Sequence, residues 1–322
     1  MRRMLTPPPD LPDDLLTATL ARHWAIEAVG LEYLPVGFGS HHWAVTGVGD
    51  RRWFVTVDEV VPAAFERLLA ALGTAAALRA DGLDFVVAPL PAAEGAVAVR
   101  VAERFAVACY PHVAGRHFDF GEFREEEHRR AVLDMLVAVH RAAPPAVVRP
   151  DDYTIAHREE VESLLSGAPI PATGPYAEPM RDLLRDTATA LRRGLARYDA
   201  LVAAARAHAD RAVVTHGEPH AGNTIHAPDG WRLIDWDTAL LAPPERDLWD
   251  LDPGDGSVLA AYTAATGVAL EPALLDLYRL RWDLTDTAEY VHRFRWPHTG
   301  SADDVKSWKN LRELISQLAD LP

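Results

Sequence analysis

Apolar residues in the first third of the chain follow two periods, one helical and one alternating. Leu15, Leu16, Leu20, Trp24 and Ala28 recur at helical spacing behind Asp13 as a cap, so a helix is expected over 13–28. Alternation then predicts short strands. Residues 31–36 lead into Gly37-Phe38-Gly39-Ser40-His41-His42, residues 43–48 lead into Gly49-Asp50, and 52–57 complete an antiparallel meander. Pro62 opens a second helix to residue 79, with Phe65, Leu68, Leu69 and Leu72 on one face. Two more strands follow at 97–101 and 105–110, and the prolyl break of 111–115 ends the strand-rich part.

Beyond that break the periodicity is mostly helical, with helices expected at 124–141, 176–209, 271–294 and 303–318. A strand, loop and strand unit lies between the second and third of these. The proline-rich pieces 143–150 and 168–175 read as loops. At 322 residues the chain exceeds what one core usually organises. The expectation is therefore an α+β chain with a small strand-rich domain, 1–110, and a larger mainly helical one, 111–322.

Composition narrows the function classes. A formal net charge of −15 argues against nonspecific nucleic-acid binding and is compatible with a cationic small ligand, although charge alone does not locate a site. The single Cys109 cannot form an internal disulfide. Residues 1–10 carry Thr-Pro-Pro-Pro-Asp where a secretion signal needs an apolar run, and the alanine-rich stretch 68–80 is interrupted by Gly73 and Arg79. A cytoplasmic protein with no membrane role and no nucleic-acid partner is expected.

The chemistry concentrates in 216–237. His-Gly-Glu-Pro-His-Ala-Gly-Asn is followed, after a short turn, by Trp-Arg-Leu-Ile-Asp-Trp-Asp. This places a carboxylate at Glu218, a carboxamide at Asn223 and a second carboxylate at Asp235 in one compact unit. One acidic group can orient an attacking hydroxyl, while a hard-oxygen pair suits Mg2+ on nucleotide phosphates. Asp237 is either a further metal or water ligand or a solvated carboxylate at a strand end. His216 and His220 are read as loop scaffolding.

These motifs, in this order and context, resemble the aminoglycoside phosphotransferase family, the small-molecule branch of the protein-kinase-like fold that also includes choline kinases. His216, Gly217, His220, Gly222 and Asn223 fit its catalytic loop, and Leu233-Ile234-Asp235-Trp236-Asp237 fits its metal-binding strand. The resemblance implies a two-lobed fold with a small antiparallel-sheet N-lobe and a larger helical C-lobe. It implies Glu218, Asn223 and Asp235 as catalytic residues, with Asn223 and Asp235 on the metal. It also implies that Asp247, in Glu245-Arg246-Asp247-Leu248, braces the catalytic loop. Two positions depart from the pattern. Glu218 stands where the family carries Asp, reaching about 1 Å farther, a displacement large enough to matter in positioning.

The second departure is on the nucleotide side. Gly37, Phe38, Gly39 and Ser40 occupy the place of the loop that covers ATP phosphates, where absent side chains let backbone N–H groups approach an anion. The third strand should then supply a lysine, but Thr56 occupies its place. Arg52, His41 or His42 could bring the missing charge, and Glu66 fits the lysine's usual partner by position. Cys109, Tyr110 and His112 match the hinge that recognises the purine. On the helix of 274–294, Trp282, Asp283, Asp286 and Glu289, with Tyr290 beside them, could hold an ammonium-bearing ligand by charge and cation–π contact; the same acids also suit a solvated helix face.

The expected activity is transfer of the γ-phosphate of ATP or GTP to a hydroxyl of a small acceptor, a cationic one included, with an aminoglycoside-like or other antibiotic as leading substrate and antibiotic resistance as the matching context. Two alternatives stay open. One is a kinase-like nucleotide binder with little transfer, suggested by Thr56 and Glu218 together. The other is a metabolic kinase for choline, homoserine or a sugar. Monomer and homodimer are both compatible with the sequence.

Overall fold

The computed structural model describes residues 6–8, 10–37, 39–121 and 123–319. Contacts divide the chain into two compact units, one of 1–150 with 212–269 and one of 151–211 with 270–322.

The first unit begins with α1 (Asp13–Trp24), β1 (Ala28–Leu34), β2 (Ser40–Gly47), β3 (Arg52–Glu59), α2 (Pro62–Ala80), β4 (Val99–Val101) and β5 (Phe105–Pro111). The five strands form one antiparallel sheet in the order β1-β2-β3-β5-β4. Alternation assigns its two faces. Trp43, Val45, Trp53, Val55, Val57, Phe105, Val107 and Cys109 pack with Leu16 and Leu20 of α1, while Ala106 and Ala108 pack with Leu68 and Leu72 of α2, with Tyr110 at the edge of that cluster. Each such fully buried large apolar side chain contributes about 1.5–3 kcal/mol. The first helix stops at Trp24 rather than running to 28, because Ala25 adopts a left-handed conformation (φ 53°) and Ile26 donates its N–H to Leu20 O. Tyr110, the last residue of the expected first domain, lies at the end of β5, and the first compact unit continues beyond it to residue 150.

The same unit continues through β6 (Arg116–His117) and α3 (Glu126–Arg141). The second unit opens with α4 (Arg158–Leu165), α5 (Ala177–Asp186) and α6 (Ala188–Ala205). Helical periodicity alone suggests one helix over 176–209. The break comes at Thr187, whose hydroxyl and N–H both bond to Leu183 O, satisfying that carbonyl locally and resetting the helix.

The chain returns to the first unit with β7 (Val213–Thr215), β8 (Thr224–Ala227), β9 (Gly230–Leu233), β10 (Leu240–Ala242), α7 (Glu245–Leu248) and α8 (Ser257–Thr266). Strand β10 pairs with β7, and β8 lies between β6 and β9. The 85–87 segment fastens β9 on its other edge: Val87 N–H donates to Leu233 O at 3.0 Å and Leu233 N–H to Phe85 O at 2.8 Å. Helix α8 escapes the periodicity because alanines and threonines blur its faces, although Gly256 and Gly267, both left-handed, mark its ends.

Two long helices, α9 (Pro272–Arg295) and α10 (Ala302–Ala319), complete the second unit. Its interior is pinned by polar contacts as well as apolar ones. Arg281 reaches the buried Asp151 carboxylate at 2.6 Å, and Tyr198 donates to Tyr153 O at 2.7 Å. Among the described residues no helix is long and apolar enough to cross a membrane.

Candidate active site

The 216–223 loop joins β7 to β8 and is held from below by two neighbouring side chains. Asp247 accepts the backbone N–H of His216 at 2.9 Å and of Gly217 at 2.6 Å, and His140 Nε2 approaches the same carboxylate at 2.9 Å. Burial opposes ionisation of Asp247, but the bond from His140 and the nearby Arg246 outweigh it and hold the carboxyl below its usual range. Arg246 is itself buried. It donates to Thr215 Oγ1 and to Thr238 O, both at 2.8 Å, and its guanidinium fills the space beside Gly217, which sits at φ +103°. Only glycine combines that φ with that approach.

His216 connects the loop to the segment that follows β9, where the sequence motif expects a metal-binding strand. Its Nε2–H donates to Ile234 O at 2.9 Å, its Nδ1 accepts Glu218 N–H at 3.2 Å, and its ring meets Trp236 edge-on. That pair of bonds needs one protonated and one bare ring nitrogen, so the imidazole is neutral; burial, the dominant cause, lowers its pKa to about 4. Asn223 makes the second connection. Its Nδ2 donates to Glu218 O at 2.9 Å and its carbonyl accepts Ile234 N–H at 2.9 Å. The amide NH2 is thereby spent on loop closure, and Oδ1 is left as the hard donor of this residue. The scaffolding expected of His216 is what these bonds supply.

Glu218 is about one-third exposed, and its Oε2 lies 3.9 Å from His220 Nε2. Burial and the neighbouring His216 lower the His220 pKa to about 4, so this is a contact with a neutral ring and too long for a hydrogen bond. His220 also meets the Phe120 ring edge-on at 4.6 Å, placing the 118–121 segment over the loop.

Asp235 takes a left-handed backbone (φ 66°), a conformation non-glycine residues adopt at a cost of order 1–3 kcal/mol and chiefly where function or surroundings impose it. Its carboxyl is raised well above the usual range by enclosure in protein and then by Asp237, Glu218 and Asp58. Asp235 and Asp237 nonetheless remain open to solvent, as an ion-binding recess requires. Asp237 is also raised, by enclosure, with Arg246 among the groups opposing the shift.

Asp58 is the functional candidate that motif matching misses. It lies two residues beyond Thr56 on the same face of β3, accepts a hydrogen bond from Ser40 Oγ, and is raised to about 7 by burial and then by Asp237. Tyr110 faces the same group: burial first, then Asp58, Asp235 and Asp237, push its hydroxyl well above the ordinary range, and that hydroxyl bonds to Thr56. The period-2 rule applied to Thr56 would have found Asp58. Four carboxylates therefore face one another around the expected phosphate end, and the position of the expected lysine is occupied by a hydroxyl bonded to a phenol.

The possible replacements for that lysine differ in placement. His42 lies under the glycine turn, its Nδ1–H donating to Val36 O (2.8 Å) and its ring stacking on Phe54. A Cβ at Gly37 (φ +70°) would come within 2.7 Å of its ring. Burial lowers His42 to about 4, so it brings no charge at neutral pH. Arg52 starts β3, six residues from Asp58, or roughly 20 Å along an extended strand. It lies instead near the exposed His112, whose pKa is lowered by burial and then by Arg52. The only lysines in the chain are Lys306 and Lys309, both on α10 in the other unit. Glu66 is exposed on α2. Cys109 points into the α1-side core, burial pushing its thiol up to about 12, and its carbonyl accepts Leu90 N–H. Phe38 lies outside the described residues.

In the second unit, Trp282, Asp283, Asp286 and Glu289 lie half-buried along α9. Burial and then Asp286 raise Asp283 to about 6. Tyr290, grouped with these acids by spacing, is buried instead, its hydroxyl accepting from Asn310 Nδ2 at 2.8 Å.

Comparison with known proteins settles the family. The profile of the phosphotransferase enzyme family, APH, matches residues 30–295. The chain belongs to that family. Protein StrN of Streptomyces griseus is 31% identical over 309 residues, covering 90% of this chain and 88% of its own. Spectinomycin phosphotransferase, solved in complex with ADP and spectinomycin, aligns over 95% of this chain and 97% of its own with a TM-score of 0.71 at 17% identity. Amicoumacin kinase, solved with AMP-PNP and Ca2+, aligns over 95% and 93% with a TM-score of 0.61 at 13% identity. At those identities the structural likeness is one of fold, the mixed α+β kinase-like fold. As a member of the phosphotransferase family the chain is an enzyme of the small-molecule kinase class.

Proposed function

We propose that this phosphotransferase moves the γ-phosphate of ATP or GTP, with Mg2+, to a hydroxyl of a small cation-bearing natural product, an antibiotic of aminoglycoside type being the leading acceptor. The observation that carries the proposal is the double connection of Asn223, which ties the Glu218 backbone on one side and Ile234, the residue before Asp235, on the other. Acceptor orientation and metal binding then share one rigid unit.

In this reading Glu218 accepts a hydrogen bond from the acceptor hydroxyl and aligns its oxygen with the phosphorus. Positioning dominates because the transition state of phosphoryl transfer is loose. Asn223 Oδ1 and the Asp235 carboxylate would hold the metal, with Asp237 beside them. Both are hard oxygen donors, and the solvent access and raised carboxyl pKa values of Asp235 and Asp237 describe a site that gains by taking up positive charge. Magnesium, when bound, supplies charge against the phosphate oxygens. Ser40, bonded to Asp58, anchors the glycine turn above the phosphates. The acids of α9 would serve an ammonium group on the acceptor. Phosphorylating an antibiotic would confer resistance on the cell that makes this protein, and a cytoplasmic location would fit the use of ATP or GTP.

A second reading has its own support. Thr56 bonded to Tyr110, with Asp58 next on the strand face, suits a protein that holds nucleotide weakly and transfers little. An ADP-release assay across aminoglycosides, cyclic-peptide antibiotics, choline, homoserine and sugars separates the two. Turnover with one antibiotic class and Mg2+ supports the first. Clear nucleotide binding with no turnover on any acceptor rejects it in favour of the second.

A further inference from the structure

We infer that His157, Glu160 and His292 form a binding site for one divalent transition-metal ion of the zinc class, built between α4 and α9 of the second unit. These three residues offer two imidazole nitrogens and a carboxylate oxygen whose atoms all lie within 4.8 Å of one another, and each side chain is half-buried and reachable from solvent.

Their arrangement is convergent. His292 Nδ1 lies 2.8 Å and His157 Nδ1 3.4 Å from the same oxygen, Glu160 Oε1. A tetrahedral zinc with bonds of about 2.0–2.2 Å sets its ligand atoms roughly 3.3–3.5 Å apart. The His157 to Glu160 separation already has that value, and the His292 to Glu160 hydrogen bond has to open by about half an ångström. The two rings are stacked, 3.6 Å between centroids and 16° between planes. A metal lies in the plane of each imidazole that binds it, so the rings must roll apart as it enters, and their exposure leaves room for that rotation.

Charged neighbours flank two of the three ligands. Arg295 Nη1 lies 3.2 Å from Glu160 Oε2, which leaves Oε1 as the oxygen facing the histidines. Glu289 Oε1 lies 3.9 Å from His157 Nε2. With Nδ1 on a metal, that ring carries its proton on Nε2; at this distance Glu289 is a charged neighbour rather than a hydrogen-bond partner, and it has to close by about 1 Å to accept that proton as the carboxylate partners of ligating histidines do. His157 also keeps a left-handed backbone (φ 58°), which non-glycine residues seldom adopt; histidine is among those that tolerate it best.

The donor set chooses the ion. Two imidazoles and one carboxylate suit Zn2+, Co2+ or Ni2+, whereas Mg2+ takes oxygen donors in an octahedron. Three protein ligands leave a fourth position for water. The set shares no residue with Asn223 and Asp235, so the two ions are distinguishable by mutation.

The test is calorimetric titration of chelator-stripped, tag-free full-length protein with zinc chloride, without nucleotide, beside a Co2+ titration followed by visible absorption. The expected result is about one equivalent bound per chain, a tetrahedral Co2+ spectrum, and loss of both in His157→Ala and His292→Ala, with binding kept in Asp235→Asn. Glu289→Gln, which leaves all three ligands in place, should weaken zinc by about tenfold or more. Circular dichroism checks that each variant is folded. No saturable zinc uptake by the wild type, or uptake that survives both folded histidine variants, overturns the site and leaves the cluster as an ion-pair network.

Discussion

The guanidinium of Arg246 occupies the space into which any side chain at Gly217 would project: its Cζ lies 2.6 Å from the place of a Cβ there. Gly217→Ala must therefore displace Arg246 and adopt φ +103° with a Cβ, and two costs of this kind sum to about 2–4 kcal/mol. Arg246→Ala removes the bonds to Thr215 and Thr238 and uncovers Asp247. Because both changes act on one contact, the double variant should be less destabilised than the sum of the singles, by at least about 1 kcal/mol in urea unfolding. Additive losses would show that the two residues are independent.

Glu218→Gln keeps the length of the side chain and removes its charge. Transfer should fall by about 10²–10⁴-fold, the range of a positioned acid or base, with nucleotide affinity changed by less than about threefold. Steady-state kinetics and nucleotide titration read the two effects separately. An active Gln variant would remove Glu218 from the mechanism.

Asp58→Asn retains an acceptor for Ser40 while deleting one of four facing carboxylates. Nucleotide binding should then need less magnesium, with affinity at low Mg2+ rising by about three- to tenfold, equivalent to roughly 0.7–1.4 kcal/mol. A magnesium titration of ADP binding measures it. Unchanged or weaker binding would mean that Asp58 contributes to holding the metal rather than opposing the phosphates.

His216 is buried and neutral, with its pKa lowered to about 4. The unfolded chain binds a proton at this residue near pH 6.5, so the folded state is favoured above that value and loses the advantage as pH falls from 6.5 toward 4. From pH 7 to pH 5 the loss is at most about 2 kcal/mol for this group. In His216→Asn, which lacks the titration, the stability gap to wild type should narrow over the same interval, measured by urea unfolding at each pH. A gap that is constant with pH contradicts the assignment.

Cys109 lies fully inside the core on the α1 side of the sheet, its thiol pushed up to about 12 by burial. A thiol reagent should leave the native protein unmodified at pH 8 and titrate one thiol in denaturant. Rapid native modification would show that the sheet opens at β5.

Much of this could be read before any coordinates because two kinds of signal were local. Alternation at 43–48 and 52–57 marked two of the sheet's strands, and the motif spacing from His216 to Asp235 marked the loop and the segment it is bonded to, although β9 ends at Leu233 and Asp235 itself lies outside a strand. What stayed hidden depends on distant chain. Thr187 breaks a continuous helical pattern through a hydrogen bond to Leu183 that periodicity does not register. Asp58 became visible only when β3 was paired and Asp237 faced it, and Arg246 gained a role only once Gly217 was seen to rest on it. The Tyr290 hydroxyl, adjacent to acids in sequence, turned inward to Asn310 because α10 covers that side of α9.

The confinement of lysine to α10 reaches into how such an enzyme can be detected at all. A reagent that marks a lysine amine beside bound phosphates would find none in the unit that carries Thr56, Glu218 and Asp235. With nucleotide bound as proposed, that unit offers such chemistry no lysine to label, so detection of the activity has to rest on product formation.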